Sequence, residues 1–441
     1  YREQSPDQWW QAFCSASRHM IEQARQSESE FNVTRIRGII FSGQMQDVIV
    51  LNGELNPVRN AILYSDGRAE EQAKQLAGAE RFLNTVGNRL EGCLPLPKLM
   101  WLREHEPETY ARIRHVLISS KDYLIAQLTG ECVGDVAACS TAGAMNIRNG
   151  QWDAELREVA EIDMTILPHL HNPQDNIGTV TESAAQRTGF SAGTAVYAGI
   201  GDAGATTLAS GVSHPGQYNI NIGTSGWIAT VSPEPFTDKP GAANLAFGVE
   251  EGFVNAVPFL NAGDVHKWVT GVFSDGDYAE AHQLIETSKP GSNGVLCLPY
   301  LVGERFPVMN PNIRGAYVGL DPDTAKADMM RAALEGVAFS IRQGMESFDA
   351  KPTEISLIGG GARENAWCQI LADVLEHPIE VFANADILPA VAMASLVFNV
   401  PDLLQSVCEC TVYQPNPDTA RTYADAYRRF LSLYPMLRTM D

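Results

Sequence analysis

Residues 199–226 read GIGDAGATTLASGVSHPGQYNINIGTSG, and the fold turns on how this stretch is read. It places one carboxylate, Asp202, in a glycine-rich turn. A second turn of small residues, Gly223, Thr224, Ser225 and Gly226, follows an alternating segment, 218–222, that predicts a strand. Asp202 can take a proton, while the small-residue turn lets backbone amides and the Thr224 hydroxyl approach an anion closely. A third cluster, Gly359, Gly360 and Gly361 with Ala362 behind it, follows the apolar run 355–358 and precedes a helical pattern over 365–375. A strand running through glycines into a helix start suits an anionic ligand, because the amides of the first helical turn are unpaired and the helix dipole favours negative charge there. Two such turns in one chain point to a nucleotide.

Outward from these turns, short apolar runs alternate with amphipathic windows: 37–41, 47–51, 116–118, 195–198, 294–298 and 354–358 read as strands. The pattern predicts an α/β architecture. Ser5, Pro6, Asp7 and Gln8 predict a capped helix from Trp9 to about Gln26, and 323–344 predicts a long helix ending at glycine. A chain of 441 residues exceeds one hydrophobic core, since cores stop growing at roughly 250–300 residues, so two domains are expected. The connection near 171–178 and the renewed strand near Val196 put the break at 190–210, giving domains 1–200 and 201–441 with Asp202 at the boundary, where ligand clefts form.

Composition narrows the function. With 45% hydrophobic and 19% charged residues the chain is an ordinary globular protein. Its formal charge of −21 comes with no basic stripe, which argues against a nucleic-acid groove. No apolar run approaches the ~20 residues of a membrane span, and YREQSPDQWW does not read as a signal peptide, so the expected compartment is the cytoplasm. The eight cysteines form no CxxC pair and read as small buried hydrophobes of a reducing compartment. The histidines show no ligand spacing, and no protein metal site is expected.

Ten ordered segments carry a resemblance: DQWWQAF (7–13), SGQMQ (42–46), AILYSDGRAEEQ (61–72), PKLMWLREHEPE (97–108), SSKDYLIAQLTGE (119–131), GDAGA (201–205), NIGTSG (221–226), LPYLVGERFP (298–307), GAYVGL (315–320) with RAALEGVAFSI (331–341), and IGGGARENAWCQILADVL (358–375). Together they resemble the FGGY carbohydrate kinases, nearest to the xylulokinase branch. The resemblance implies a two-domain, actin-like ATPase fold of the ribonuclease H type with a deep cleft. A sugar would sit on the N-terminal side and ATP, with magnesium carried chiefly by its phosphates, on the C-terminal side. It implies transfer of the γ-phosphoryl group to a hydroxyl of a ketopentose, most simply D-xylulose, with Asp202 as general base. Met45, Gln46 and Tyr64 would join Asp202 at the sugar; Gly223, Thr224 and Ser225 would hold phosphate; Gly360, Gly361 and Ala362 would pack on the nucleotide, with Asn365 near the adenine. A homodimer is compatible with the family.

Other residues have plainer readings. Alone, a Gly-Asp pair is turn chemistry; the surrounding motifs decide for catalysis. Asp66 and Arg68 read equally as an ion pair in a turn or as part of the sugar pocket. Lys98 and Trp101 read as helix packing and surface, Glu304 and Arg305 as a structural pair, and Trp9 and Trp10 as core.

Three departures stand out. Family members open with a DxGTxS turn, which does not occur ahead of Tyr1, and the chain has no initiating Met, so the natural protein is expected to be longer. Where the xylulokinase pattern is GQMHG and GDNA, this chain has Gln46 and Ala203, and Tyr64 stands where Trp is usual, which leaves the acceptor open: another ketose, a polyol or a sugar acid. Residues 385–396 replace a Gly-Ala-rich helix start, with Pro389 suited to a first turn. A kinase-derived sugar or nucleotide sensor is the alternative from a different class.

Overall fold

The protein is described from a computed structural model covering residues 1–438 apart from 29, 78–80, 240, 384–386, 399, 401–402, 404–406 and 408. Strands and helices alternate as the sequence predicts. The C-terminal half is built on a seven-stranded sheet, in the order Ala243–Ala246, Phe253–Phe259, Gly226–Ser232, Gln217–Ile222, Glu354–Ile358, Ile379–Phe382 and Cys410–Tyr413. Gln217–Ile222 runs parallel to Glu354–Ile358, with Asn221 opposite Ile358. That register brings two glycine turns 135 residues apart in the chain, at 223–226 and 359–361, to the same end of the sheet. Alternation sets the faces: Tyr218, Ile220 and Ile222 enter the large C-terminal core with Ile355 and Leu357. Asn219, on the opposite face, donates through Nδ2 to Ser356 Oγ at 3.0 Å.

In the N-terminal half the strands are short and paired in twos and threes among the described residues. Both faces of the run Val48 to Leu51 are buried. Val48 and Val50 join one core with Val116 and Ile118, and Ile49 and Leu51 join another with Leu117 and Trp10. A continuous apolar strand is what such two-sided burial requires. Met45 and Ala203 pack instead against Val231, Leu245 and Val254 of the large sheet, so the junction of the halves passes beside Asp202. A reciprocal pair fastens the junction. Asn88 Nδ2 donates to the Asn244 carbonyl and the Asn244 amide donates to Asn88 Oδ1, both at 2.8 Å.

Two helix boundaries differ from the sequence reading. The first helix is Pro6–Ser27, and Ser5 makes no side-chain cap; its carbonyl accepts from the Gln8 amide, and Pro6 at the first turn needs no donor partner. The long helix is Lys326–Met345, because residues 321–324 close a turn in which Asp321 Oδ1 accepts from the Asp323 amide at 3.0 Å. Asp328 caps it, accepting from the Ala325 amide at 3.0 Å. Gly344 lies inside the helix against the Phe306 ring, where an added Cβ would meet Cε1 at 2.4 Å, so its role is close packing and not termination. Leu388–Phe398 is helical with Pro389 in its first turn, as expected; Ala385 falls outside the described residues. Cys14, Cys139, Cys297 and Cys368 are buried and free, whereas Cys410 is exposed.

Candidate active site

A cavity of about 740 Å³ opens where the two glycine turns meet. Gly223, Thr224, Gly360, Gly361 and Asn365 all line it; Ser225 and Ala362, neighbours in the same turns, do not. The turns are close-fitted. The Gly223 carbonyl accepts from the Gly263 amide at 2.9 Å, the Thr224 carbonyl from the Asp264 amide at 3.0 Å, and a Cβ on Gly263 would lie 2.3 Å from the Gly223 oxygen. Gly359 adopts φ +94°, and a Cβ there would stand 2.5 Å from the Ile222 carbonyl. Neither position accommodates a side chain.

The rest of the wall comes from elements the motifs did not mark. The helix Gly263–Phe273 contributes Asp264, His266 and Lys267; Tyr278–Thr287 contributes Tyr278 and His282; Arg363, Glu364 and Trp367 surround the start of Asn365–Leu375. Glu364 caps that helix through the Ala366 amide and bonds His282 Nδ1 at 2.7 Å, a contact that raises the His282 pKa. Asn365 Oδ1 accepts from the Tyr413 hydroxyl at 2.8 Å, which fixes its amide at the helix start. His266 is wedged edge-on between Tyr278 and Trp367, its ring centroid 5.3 and 5.5 Å from theirs. Burial lowers its pKa, which favours the neutral ring, and its Nε2 has no hydrogen-bond partner among the described residues. Two close-fitted glycine turns, two cations, aromatic side walls and an imidazole nitrogen without a partner among the described residues suit a nucleotide with its phosphates at the glycine end.

Asp202 is the first residue of the helix Asp202–Ala209 and is exposed at its N-terminus, accepting from the Ala203 amide at 2.8 Å. Protein crowds the carboxylate closely enough for desolvation to raise its pKa, opposed by the Ala203 and Asp202 amides and helped by the negative charge of Asp135. The turn before it is rigid: Gly199 has φ +65°, and a Cβ there would fall 2.0 Å from the Phe41 carbonyl. A buried ion group supports it from below. Lys121 Nζ lies 2.6 Å from Asp122 Oδ1 and 2.8 Å from Asp135 Oδ2, and donates to the Ala198 carbonyl at 3.1 Å.

Met45 packs onto the same turn, since a Cβ on Gly201 would meet its Sδ at 2.1 Å. Gln46 follows with a left-handed backbone, φ +62°. Its carbonyl accepts from Lys98 Nζ at 3.0 Å, and the same ammonium donates to the Leu63 carbonyl at 2.8 Å, next to Tyr64. The four residues expected at the sugar thus share one neighbourhood. None of them lines the 740 Å³ cavity.

The model for the N-terminal domain of the FGGY family of carbohydrate kinases matches residues 1–209, and that for its C-terminal domain residues 218–394. The chain belongs to the FGGY family of carbohydrate kinases. It is an ATP-dependent carbohydrate kinase, and its fold is that of the family. It is similar to the xylulose kinase of Staphylococcus epidermidis, 30% identical over 454 residues that cover 100% of this chain and 90% of that protein. The gluconokinase of Bacillus subtilis is 29% identical over 398 residues, covering 86% of this chain and 76% of its own length. The crystal structure of xylulose kinase from Rhodospirillum rubrum superimposes with a TM-score of 0.87 at 28% identity, covering 99% of this chain and 91% of that one.

Within this FGGY kinase the remaining candidates sort by their partners. The Arg68 side chain is covered and pairs with Asp66 at 2.8 Å and with Glu3 at 2.8 Å, so the SDGR segment holds an ion pair. Lys98 is not a surface residue: it is fully buried against two carbonyls. Glu304 does not pair with the Arg305 side chain as expected; it accepts from the amides of Leu260 at 2.7 Å and Arg305 at 2.7 Å and from Asn261 Nδ2 at 2.9 Å. Trp10 is core, whereas Trp9 is half-buried and donates to Gln4. No helix among the described residues is long and apolar enough to cross a membrane.

Proposed function

We propose that this kinase transfers the γ-phosphoryl group of ATP to a hydroxyl of a ketopentose, D-xylulose being the first candidate, with Asp202 as general base. One observation carries the reading. Asp202 is a solvent-reachable carboxylate in an otherwise crowded turn, shouldered by Met45 and set where the two halves of the chain meet. A base there accepts the hydroxyl proton as the oxygen attacks phosphorus, and general-base help is worth about 10²–10⁴ in rate. The triphosphate would lie along Gly223, Thr224, Gly360 and Gly361, with Lys267 and Arg363 balancing its charge. Asn365 and His266 would face the base and ribose. Magnesium, bound to the phosphates, supplies further charge neutralisation when ATP is present. Because Asp202 lies outside the nucleotide cavity, the reading requires the halves to approach each other over both ligands, which also excludes water.

The same neighbourhood favours a second reading of the acceptor. Gln46 and Ala203 alter groups that would meet a ketose, and a gluconokinase is among the relatives, so a sugar acid or another polyol fits the same chemistry. ADP release measured across ketoses, polyols and sugar acids separates the possibilities. The first reading expects the highest kcat/KM with D-xylulose. Highest kcat/KM with gluconate overturns the substrate, and binding of ATP and sugar without ADP release with any acceptor overturns the kinase reading itself.

A further inference from the structure

Behind the side chains assigned to the sugar lies a carboxyl that the reaction does not use. Asp47 is fully buried. Its Oδ2 accepts from Gln44 Nε2 at 2.7 Å and its Oδ1 from the Tyr64 amide at 3.1 Å, while its own amide donates to the Ile118 carbonyl at 2.9 Å. The loop it closes is pinned on both sides, since the Gln44 carbonyl accepts from Ser119 Oγ at 2.7 Å and the Gln46 carbonyl from Lys98 Nζ at 3.0 Å. Between those pins Gln46 holds a left-handed backbone, which a non-glycine residue keeps only where its surroundings impose it.

We infer that Asp47 is a positioning residue for the phosphoryl acceptor: its carboxyl straps the loop carrying Met45 and Gln46 to the backbone of Tyr64 and fixes both beside Asp202. The inference rests on the assignment of these residues to the acceptor site. Two charged groups face Asp47, Lys98 from the helix Pro95–His105 and Asp202 from the helix Asp202–Ala209; Lys98 is itself faced by Cys93, Asp66 and Arg68. Burial pushes the Asp47 pKa up to about 7, the Gln44 and Tyr64 bonds and Lys98 draw it back, and the charge of Asp202 adds to the rise. The strap therefore changes charge near neutral pH, in electrostatic contact with the base. Gln44 serves both states, because its amide can present either NH₂ or carbonyl to Oδ2.

Asp47→Asn keeps the shape and fixes the neutral state. The pH profile of kcat/KM for the acceptor, taken from about pH 6 to about pH 8, is expected to show an inflection near neutrality in the wild type and to lose it in Asp47→Asn. Gln44→Leu, which cuts the strap without touching a charge, is expected to raise the acceptor KM by about tenfold and leave the KM for ATP unchanged. A wild-type pH profile in Asp47→Asn, or a Gln44→Leu enzyme with unaltered acceptor KM, overturns the inference. Asp202→Asn separates the two levels: loss of turnover there with wild-type behaviour at Asp47 sinks only the strap, while retained turnover in Asp202→Asn sinks the site assignment beneath it.

Discussion

Lys98 donates to two carbonyls beside the proposed acceptor residues, those of Gln46 and Leu63. Burial lowers its pKa to about 8, so the ammonium is held against a desolvation cost by the Gln46 and Leu63 oxygens. Lys98→Met takes the donor from the Gln46 oxygen, at about 1–3 kcal/mol, whereas the Leu63 oxygen keeps the Asp66 amide at 3.0 Å. The measurable result is an acceptor KM raised by at least about fivefold with an unchanged KM for ATP. Asp47 makes a separate prediction about stability. Its pKa is about 7 in the folded chain against an ordinary 3.8, so the folded state holds a proton that the unfolded state gives up. That contribution is complete below about pH 4 and lost as pH rises through about 7, an effect of roughly 2–4 kcal/mol. Melting curves of Asp47→Asn should accordingly fall less than those of wild type between about pH 5 and about pH 8. Neither residue was legible beforehand. PKLMWLRE shows a helix but not that Lys98 is covered on every side, and the one hint at Asp47 was a charged residue heading the wholly apolar run VIVL.

At the level of elements the sequence spoke most clearly where chemistry is local. The strands at 218–222 and 354–358 and the helix 365–375 are readable from alternation, helical period and glycine punctuation, and the parallel register then joins the two turns. The helix Gly263–Phe273 was missed, though it supplies three side chains to the cavity. Its only mark was the small-residue step Ala262-Gly263 after the strand Phe253–Phe259, and what makes Gly263 necessary is the Gly223 carbonyl, 40 residues earlier in the chain. Gly263→Ala forces that carbonyl aside, at about 1–3 kcal/mol. Calorimetric titration with ATP should show the loss as weaker nucleotide binding, with acceptor binding unaffected. The caps and ends were less reliable: Ser5 and Gly344 have the right residue types for helix boundaries, but Pro6 and the Phe306 ring decide what happens there.

For the whole molecule, two halves meeting beside Asp202 follow from chain length and from the position of the glycine turns, whereas the fastening between them does not. Asn88 and Asn244 exchange hydrogen bonds across 156 residues of sequence, and nothing local to either asparagine announces it. Asn88→Ala and Asn244→Ala should each lower the denaturation midpoint, with a coupling of at least about 0.5 kcal/mol in the double-mutant cycle. Approach of the halves is what would bring the phosphoryl group at the glycine turns to the sugar hydroxyl beside the Asp202 carboxylate. The most direct test is therefore kcat of Asp202→Asn with ATP and D-xylulose, alongside calorimetry for both ligands. A fall of about 10²–10⁴ with both ligands still bound is the expected result; turnover within a few-fold of the wild type would show that the proton leaves by another route.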